Sequence, residues 1–206
     1  MTDCTTISFS ITTGCNRRCP DCSAGIGRVP MWMATPEYVE RWIPMFHDIK
    51  ALNVYGGEPM ANPIFDVIIS DIRRLLPEAE MWLSTNGDMW RRHSATVIGF
   101  DKVIVTHYGD WTFPGCPDNT VVVDELRATL GDRLVVSRAE HMVGSPWRVD
   151  PCWREHFETL EFSQGILYPC CTGSGVKGAR GIPPGLDWRE KIREVRAVCG
   201  GCPFAI

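Results

Sequence analysis

The sequence predicts an α/β fold: a partial (β/α) barrel of about five to six parallel strands, then a small β-hairpin and a helix. Three observations support this prediction. Short apolar segments alternate with helical segments over residues 5–140, which is typical of a parallel sheet. Polar and glycine-rich motifs follow these segments, at the edge where parallel sheets bind ligands. The alternation fades near residue 140, whereas a complete eight-unit barrel needs about 200 residues, so the barrel is expected to be incomplete.

Five strands are expected before residue 140. The first, residues 5–12, alternates apolar and hydroxyl side chains, as half-buried strands do, and runs directly into a cysteine-rich loop. The other four are short apolar segments at residues 51–55, 81–83, 103–105 and 134–136.

Helical segments separate the first four strands. Thr35 and Pro36 are typical of a helix start, and Pro44 is expected to end or kink that helix early. Residues 62–76 place apolar side chains on one helical face and predict an amphipathic helix. A weaker helix is expected at residues 90–98.

The character of the chain changes at about residue 141. Two segments that flank Gly165 predict a β-hairpin, and a short helix is expected at residues 188–198. Five of the ten cysteines lie in this last part of the chain. We therefore expect a partial barrel over residues 1–140 and a separate cysteine-rich extension over residues 141–206.

The composition favours a soluble cytoplasmic protein. The chain has 206 residues, enough for one domain with a small extension. No signal-peptide pattern is present, so the cysteines are expected to be metal ligands in a reducing compartment rather than disulfides. No apolar segment approaches the roughly 18–20 residues of a membrane span. A net charge of −4 gives no general attraction to nucleic acid or anionic membranes.

Three cysteines follow the first strand in a CxxxCxxC array: Cys15, Cys19 and Cys22. Iron-sulfur clusters are normally held by four thiolates, so three would leave one iron open to a small molecule. A structural zinc knuckle and incidental cysteines are the alternatives, although a structural zinc site needs a fourth ligand.

The next two strands end in motifs that have two interpretations each. Gly56-Gly57-Glu58-Pro59 is either a tight turn or a loop whose backbone approaches a ligand closely. Ser84-Thr85-Asn86-Gly87 is either an Asn-Gly turn with a capping serine or a source of hydroxyl and amide groups for a ligand.

The three motifs, in this order over residues 5–140, resemble the radical S-adenosylmethionine (radical SAM) enzymes, and their combination is specific. The resemblance implies a partial barrel of the radical SAM type and a 4Fe-4S cluster on the three cysteines. It also implies that S-adenosylmethionine binds the open iron and is cleaved reductively to a 5′-deoxyadenosyl radical, which abstracts hydrogen from a substrate carbon. The electron would come from a reductant such as flavodoxin or ferredoxin.

The resemblance also implies roles for the motif residues. The backbone of Gly56 and Gly57 would approach the methionyl amino group, and Glu58 would orient it as a hydrogen-bond acceptor. Ser84 and Asn86 would bind the ribose.

Residues at the later strand ends complete the expected site. Arg138 would pair with the methionyl carboxylate, or it is a solvated surface arginine. His107 and Tyr108 would face substrate or cofactor as catalytic residues, although the histidine has the alternative of a hydrogen bond to backbone.

The C-terminal cysteines resemble the SPASM and twitch extensions of the same superfamily. Cys152, Gly165 and Cys170 fit the CxnGxxxxC opening of those extensions. A second, auxiliary 4Fe-4S cluster is implied, with four candidate ligands: Cys152, Cys170, Cys199 and Cys202. A structural zinc site is the alternative. Cys171 is either a catalytic thiol that donates hydrogen or a spare thiol.

The expected substrate is a peptide or an amino-acid-derived group, modified by dehydrogenation, epimerisation, crosslinking or rearrangement. The enzyme would then be an oxidoreductase or an isomerase. A nucleobase-attached group on DNA or RNA is the second possibility, and generation of a glycyl radical in a partner protein is the third. A non-catalytic iron-sulfur or zinc protein that transfers electrons or acts as a scaffold is the alternative from another class.

Overall fold

The computed structural model describes residues 6–19, 22, 30–109, 115–138, 159–168 and 190. Seven strands lie within these ranges: β1 Thr6–Ser10, β2 Ala51–Tyr55, β3 Glu80–Thr85, β4 Lys102–His107, β5 Leu134–Arg138, β6 Thr159–Ser163 and β7 Ile166–Tyr168. The α-helices of the same ranges are α1 Pro36–Trp42, α2 Phe65–Leu75, α3 Ser94–Ile98 and α4 Thr120–Leu130. Short 3-10 helices are Ile43–Phe46, Pro59–Ala61, Trp90–His93 and Gly131–Arg133.

The strands form one sheet with the order β5-β4-β3-β2-β1-β6-β7. Strands β1 to β6 pair in parallel with their neighbours, and β7 pairs antiparallel with β6. The sheet does not close on itself, so the predicted α/β fold with a partial barrel is confirmed.

The hairpin expected around Gly165 is present as β6 and β7. Gln164 and Gly165 form its two-residue loop, both with positive φ (52° and 81°), which is the geometry of a type I′ turn. Strand β6 also pairs in parallel with β1, so the main sheet extends across the predicted boundary at residue 140. The helix expected at residues 188–198 lies outside the described residues, apart from the helical residue Glu190.

The two faces of the sheet differ in chemistry because neighbouring side chains of a strand point in opposite directions. In β1, Ile7 and Phe9 are fully buried in the apolar core. Ser8 and Ser10 alternate with them on the other face, where Ser8 Oγ accepts a hydrogen bond from Asn53 of β2 (3.3 Å). In β1 and at Asn53 of β2, the face opposite the apolar core is therefore polar.

Helix α1 begins and ends as the sequence predicts, whereas α2 begins at Phe65 rather than at residue 62. Thr35 caps α1 by accepting a hydrogen bond from the Tyr38 N–H, and the helix becomes a 3-10 turn one residue before Pro44. Helix α2 buries Phe65 and Ile72 on the face that meets the sheet. No helix among the described residues is long and apolar enough to cross a membrane.

Helix α4 was not predicted from the sequence. Its first turn contains a run of three valines, Val121 to Val123, and β-branched residues favour strands over helices. Val123 and Leu126 are nevertheless buried at helical spacing, whereas Val121 is exposed. Packing against the sheet decides the structure of this segment, and local propensity does not.

Candidate active site

Loops that follow the parallel strands meet at the C-terminal edge of the sheet, and the cysteine loop lies among them. Cys15, Cys19 and Cys22 are half-buried cysteines that form no disulfide among the described residues. The pKa of the Cys15 thiol is raised to about 11, mainly by burial. Burial likewise raises the pKa of the Cys19 thiol to about 11. Both therefore hold their protons at neutral pH, and binding of a metal would have to displace those protons.

Glycines of the Gly56-Gly57 loop allow two backbone segments to touch. Gly56 has a φ of 153°, and a Cβ there would lie 2.2 Å from the carbonyl oxygen of Thr12. The Gly57 N–H donates to that same oxygen (2.9 Å), and the Glu58 N–H donates to the carbonyl of Gly14 (2.8 Å). The close approach that the sequence predicts for this loop thus includes contact with the start of the cysteine loop.

Glu58 is fully buried, and its carboxylate binds the protein itself. Oε1 accepts from the Thr85 hydroxyl (2.8 Å) and the Met60 N–H (3.2 Å), while Oε2 accepts from the Asn86 N–H (2.8 Å). Burial raises its pKa to about 7, and these hydrogen bonds lower it in part. Glu58 therefore links the end of β2 to the loop after β3.

Asn86 lies beside the cysteine loop. Its Nδ2 donates to Asn16 Oδ1 (2.8 Å) and lies 3.9 Å from Cys15 Sγ. Ser84 is two residues earlier, and its hydroxyl donates to Asn53 Oδ1 (3.0 Å) on the polar face of the sheet. The two residues thus flank the junction between the cysteine loop and that polar face.

Arg17 has the largest of the fully buried side chains in the described part of the chain, with 1% exposed. Its guanidinium binds Asp88 through both oxygens, Nε to Oδ2 at 2.8 Å and Nη2 to Oδ1 at 2.6 Å. Nη1 donates to the Pro117 carbonyl (2.6 Å), and the guanidinium stacks over the Tyr108 ring at 4.0 Å. The Arg17 N–H also donates to Cys15 Sγ (3.3 Å).

Tyr108 is buried against the cysteine loop. Its hydroxyl oxygen accepts a hydrogen bond from the Cys19 thiol (3.6 Å), and its backbone N–H donates to Asn119 Oδ1 (2.9 Å). Cys116 is 1% exposed, and its Sγ lies 3.0 Å from Cys19 Sγ.

His107 and Arg138 are neighbours in register on β4 and β5. The His107 ring forms a hydrogen bond through Nε2 with the hydroxyl of Thr120 (2.9 Å), at the start of α4. This is a side-chain partner on the helix layer, where the sequence suggested substrate or a backbone group. Arg138 is exposed at the end of β5.

Three residues of this network were not anticipated from the sequence as parts of the site: Arg17, Asp88 and Asn119. Charged residues in loops are usually solvated, so nothing local marks Arg17 as buried. The amide of Asn119 donates to the carbonyls of Asn86 and Thr106 (both 2.8 Å), which ties the ends of β3 and β4 together. Its position just before α4 was the available signal, but that helix was itself missed.

The three thiols of the cysteine loop are of the donor type that iron-sulfur clusters bind, because each thiolate of a cluster binds its own iron. Among the described residues, no three His, Cys, Asp or Glu side chains form a group that could hold a metal ion. The other predicted metal ligands and Cys171 lie outside the described residues: Cys152, Cys170, Cys199 and Cys202.

Comparison with known proteins finds one family. The model of the Radical SAM superfamily matches residues 9–103. Comparison with curated protein sequences gave no significant match.

Two solved proteins illustrate the structural likeness. The crystal structure of BtrN in complex with AdoMet and 2-DOIA has a TM-score of 0.63 at 18% identity, covering 94% of this chain and 85% of BtrN. BtrN in an open conformation gives 0.61 at 18% identity, with 94% and 84% covered. Streptococcus suis SuiB bound to precursor peptide SuiA gives 0.50 at 11% identity, with 87% and 62% covered. At these identities the likeness shows a shared fold.

Proposed function

We propose that this chain is a radical SAM enzyme that reductively cleaves S-adenosylmethionine and abstracts hydrogen from a substrate carbon. One observation carries the proposal: three half-buried cysteine thiols lie in a loop whose start is hydrogen-bonded to the backbone of the Gly56-Gly57 loop. This pair of loops lies at the edge of a parallel sheet where ligands bind. The family match over residues 9–103 includes both loops.

Cys15, Cys19 and Cys22 would hold a 4Fe-4S cluster with one open iron. When bound, the cluster supplies the electron that cleaves S-adenosylmethionine to a 5′-deoxyadenosyl radical. The chain's own contribution is a loop fixed before the cluster binds, because Thr12 and Gly14 are hydrogen-bonded to the neighbouring loop. A flavodoxin or ferredoxin is the proposed electron donor, in a reducing cytoplasm.

The proposed contacts with S-adenosylmethionine come from three strand ends. Gly56 and Gly57 would offer backbone groups to its amino group, and Ser84 and Asn86 polar groups to its ribose. Glu58 would act indirectly, because its oxygens are bound to Met60, Thr85 and Asn86. Arg138 remains the proposed partner of the carboxylate, and its exposure at the end of β5 leaves it accessible to a ligand.

The proposed substrate is a peptide or an amino-acid-derived group. The sheet that the described residues form is open, which favours a large substrate. The polar face beside the site offers uncharged hydrogen-bonding groups from Ser8, Asn53 and Ser84, which suit amides and hydroxyls. The similar fold of SuiB, whose structure contains a precursor peptide, adds support. His107, Tyr108 and Cys171 remain candidate catalytic residues.

A second 4Fe-4S cluster on Cys152, Cys170, Cys199 and Cys202 is part of the proposal, because these thiols provide a complete ligand set. Iron and acid-labile sulfide should then reach about eight each per chain, and about four would mean a single cluster. Zinc in place of iron at this position would indicate a structural site.

The test of the function is anaerobic reconstitution with iron and sulfide, followed by S-adenosylmethionine and a strong reductant. We expect 5′-deoxyadenosine from the wild type, even slowly without substrate, and none from a variant with Cys15, Cys19 and Cys22 changed to Ala. Cys116→Ala is the matched control, because it removes a neighbouring thiol outside the proposed ligand set and should keep the iron content. Equal iron in the triple variant and no 5′-deoxyadenosine from the wild type would instead indicate a non-catalytic metal protein.

A further inference from the structure

Tyr108 is positioned to contact the proposed cluster rather than the substrate. Its hydroxyl oxygen lies 3.6 Å from Cys19 Sγ, and the residue is 9% exposed. A protonated Cys19 thiol donates a hydrogen bond to this oxygen. A cysteine that binds iron is a thiolate without a proton, so the phenol O–H must then be the donor of the pair.

The Tyr108 ring is held in place from two directions. Its backbone N–H donates to the buried Asn119, which fixes the chain at this point. The guanidinium of Arg17 lies over the ring, 4.0 Å from its centroid, and cannot turn away because Asp88 and the Pro117 carbonyl bind it. Arg17 itself lies between Cys15 and Cys19 in sequence, so the residue that orients Tyr108 belongs to the cysteine loop.

We propose that Tyr108 raises the reduction potential of the cluster by donating a hydrogen bond to the Cys19 sulfur, and that Arg17 is the positioning residue that orients Tyr108. The inference rests on the proposed function, because it requires a cluster on this loop. Reduction adds negative charge that the thiolate sulfurs share, and a donor to a sulfur stabilises the reduced form more than the oxidised form.

Tyr108→Phe isolates this hydrogen bond. It removes only the hydroxyl and leaves the ring under Arg17, and the backbone donor from Arg17 to Cys15 Sγ (3.3 Å) is unaffected. The matched control is Tyr38→Phe, which removes the same atom from a half-buried tyrosine whose oxygen accepts from the Gly165 N–H (3.2 Å).

The experiment is a redox titration of the reconstituted protein with EPR as the readout. The cluster on the cysteine loop is the one whose EPR signal changes when S-adenosylmethionine is added. In Tyr108→Phe we expect about a tenfold fall in the ratio of reduced to oxidised cluster at a fixed solution potential, equivalent to ~59 mV for a one-electron couple. Iron content and the melting temperature should change little. Tyr38→Phe should titrate like the wild type.

Arg17→Lys tests the positioning role. Lysine keeps the positive charge but lacks the planar fork that binds Asp88 and stacks on the ring. We expect a smaller shift in the same direction, and no shift beyond that of Tyr108→Phe when both substitutions are combined. Additive shifts in the double variant would overturn the proposed route through Tyr108.

The outcomes separate this inference from the proposed function. An unchanged potential in Tyr108→Phe, with a cluster that responds to S-adenosylmethionine, overturns the inference and leaves the function intact. A wild type that assembles no such cluster overturns the function. If Tyr108→Phe fails to retain iron, Arg17→Lys is the deciding variant, because it keeps the Tyr108 hydroxyl but removes the guanidinium that orients the ring. A cluster reduction potential in Arg17→Lys equal to that of the wild type would then overturn the inference.

Discussion

Replacing Glu58 by Gln tests whether a buried carboxylate connects the loops of the site. The residue is fully buried, and three donors point at its two oxygens. A Gln amide has one acceptor and one donor group, so either orientation places its NH2 against a backbone N–H, that of Met60 or that of Asn86. An opposed donor of this kind costs the variant about 1–3 kcal/mol of unfolding free energy, and this contribution does not itself vary with pH because the amide does not titrate.

The change in the free energy of unfolding with pH gives a second measure of the role of Glu58. Burial raises the pKa of Glu58 from 4.5 to about 7, so between these values the folded protein keeps a proton that the unfolded chain has lost. The folded state therefore binds more protons than the unfolded state, and its stability falls as pH rises through this interval. Between pH 5 and pH 8 the loss is about 2–3 kcal/mol, and Glu58→Gln should abolish it. The two stability curves should therefore converge toward pH 8.

The assay is urea denaturation of the metal-free protein at pH 5, 6, 7 and 8, with chelator and a thiol reductant. Other titrating groups are common to both proteins and cancel in the difference. Glu40→Gln is the matched control, because Glu40 is 51% exposed in a surface pair with Arg74 and should change stability by less than about 0.5 kcal/mol. Parallel curves for the wild type and Glu58→Gln from pH 5 to pH 8 would refute the reasoning.

Two further predictions concern the cysteine loop. Gly56→Ala should lower the free energy of unfolding by about 2 kcal/mol more than Gly131→Ala, because a Cβ at residue 56 would meet the Thr12 carbonyl and disrupt two backbone hydrogen bonds. Metal-free protein exposed to oxidised glutathione should form a Cys19–Cys116 disulfide, since the two sulfurs are 3.0 Å apart, and peptide mapping by mass spectrometry would detect it.

Each of these predictions has a built-in comparison. Gly56 and Gly131 both have positive φ, but nothing lies within 4 Å of a Cβ at residue 131, so the two variants share backbone strain and differ in the clash. Equal losses would show that the clash is relieved without cost. In the oxidation experiment two thiols lose two electrons and two protons, and glutathione disulfide is reduced to two thiols. Mixed disulfides with glutathione, and no internal bond, would contradict the expected geometry.

Local sequence patterns predicted the elements whose own residues determine them. The alternation in β1, the Thr35 cap and the apolar face of α2 are visible within a few residues, and the structure confirms each. The pairing of β6 with β1 joins Thr6 to Thr159, and no local pattern specifies a partner so distant in sequence. Topology of this kind follows from packing of the whole chain.

The same limit applies to the site. Motif spacing predicted which loops meet, because the ends of parallel strands lie at one edge. It did not predict that Glu58 would bind Thr85 and Asn86, or that Arg17 would be buried against Asp88, 71 residues away in sequence. An acidic or basic side chain in a loop is normally solvated. Its burial is stable only where residues distant in sequence supply hydrogen bonds or an opposite charge that offset the cost of desolvation.

The cysteine loop is thus held by two kinds of interaction that respond differently to mutation. On one side, backbone hydrogen bonds from Gly57 and Glu58 contribute about 1 kcal/mol each and do not depend on charge. On the other, the buried Arg17–Asp88 pair adds little net stability, because desolvation offsets its attraction, yet removing one partner costs about 3–5 kcal/mol. A charge pair of this kind is better suited to orientation than to stability, and its guanidinium is the group that lies over Tyr108. Changes at the glycines should therefore act on the fold of the loop, whereas a change at Arg17 that keeps its charge, such as Arg17→Lys, should act mainly on the orientation of Tyr108.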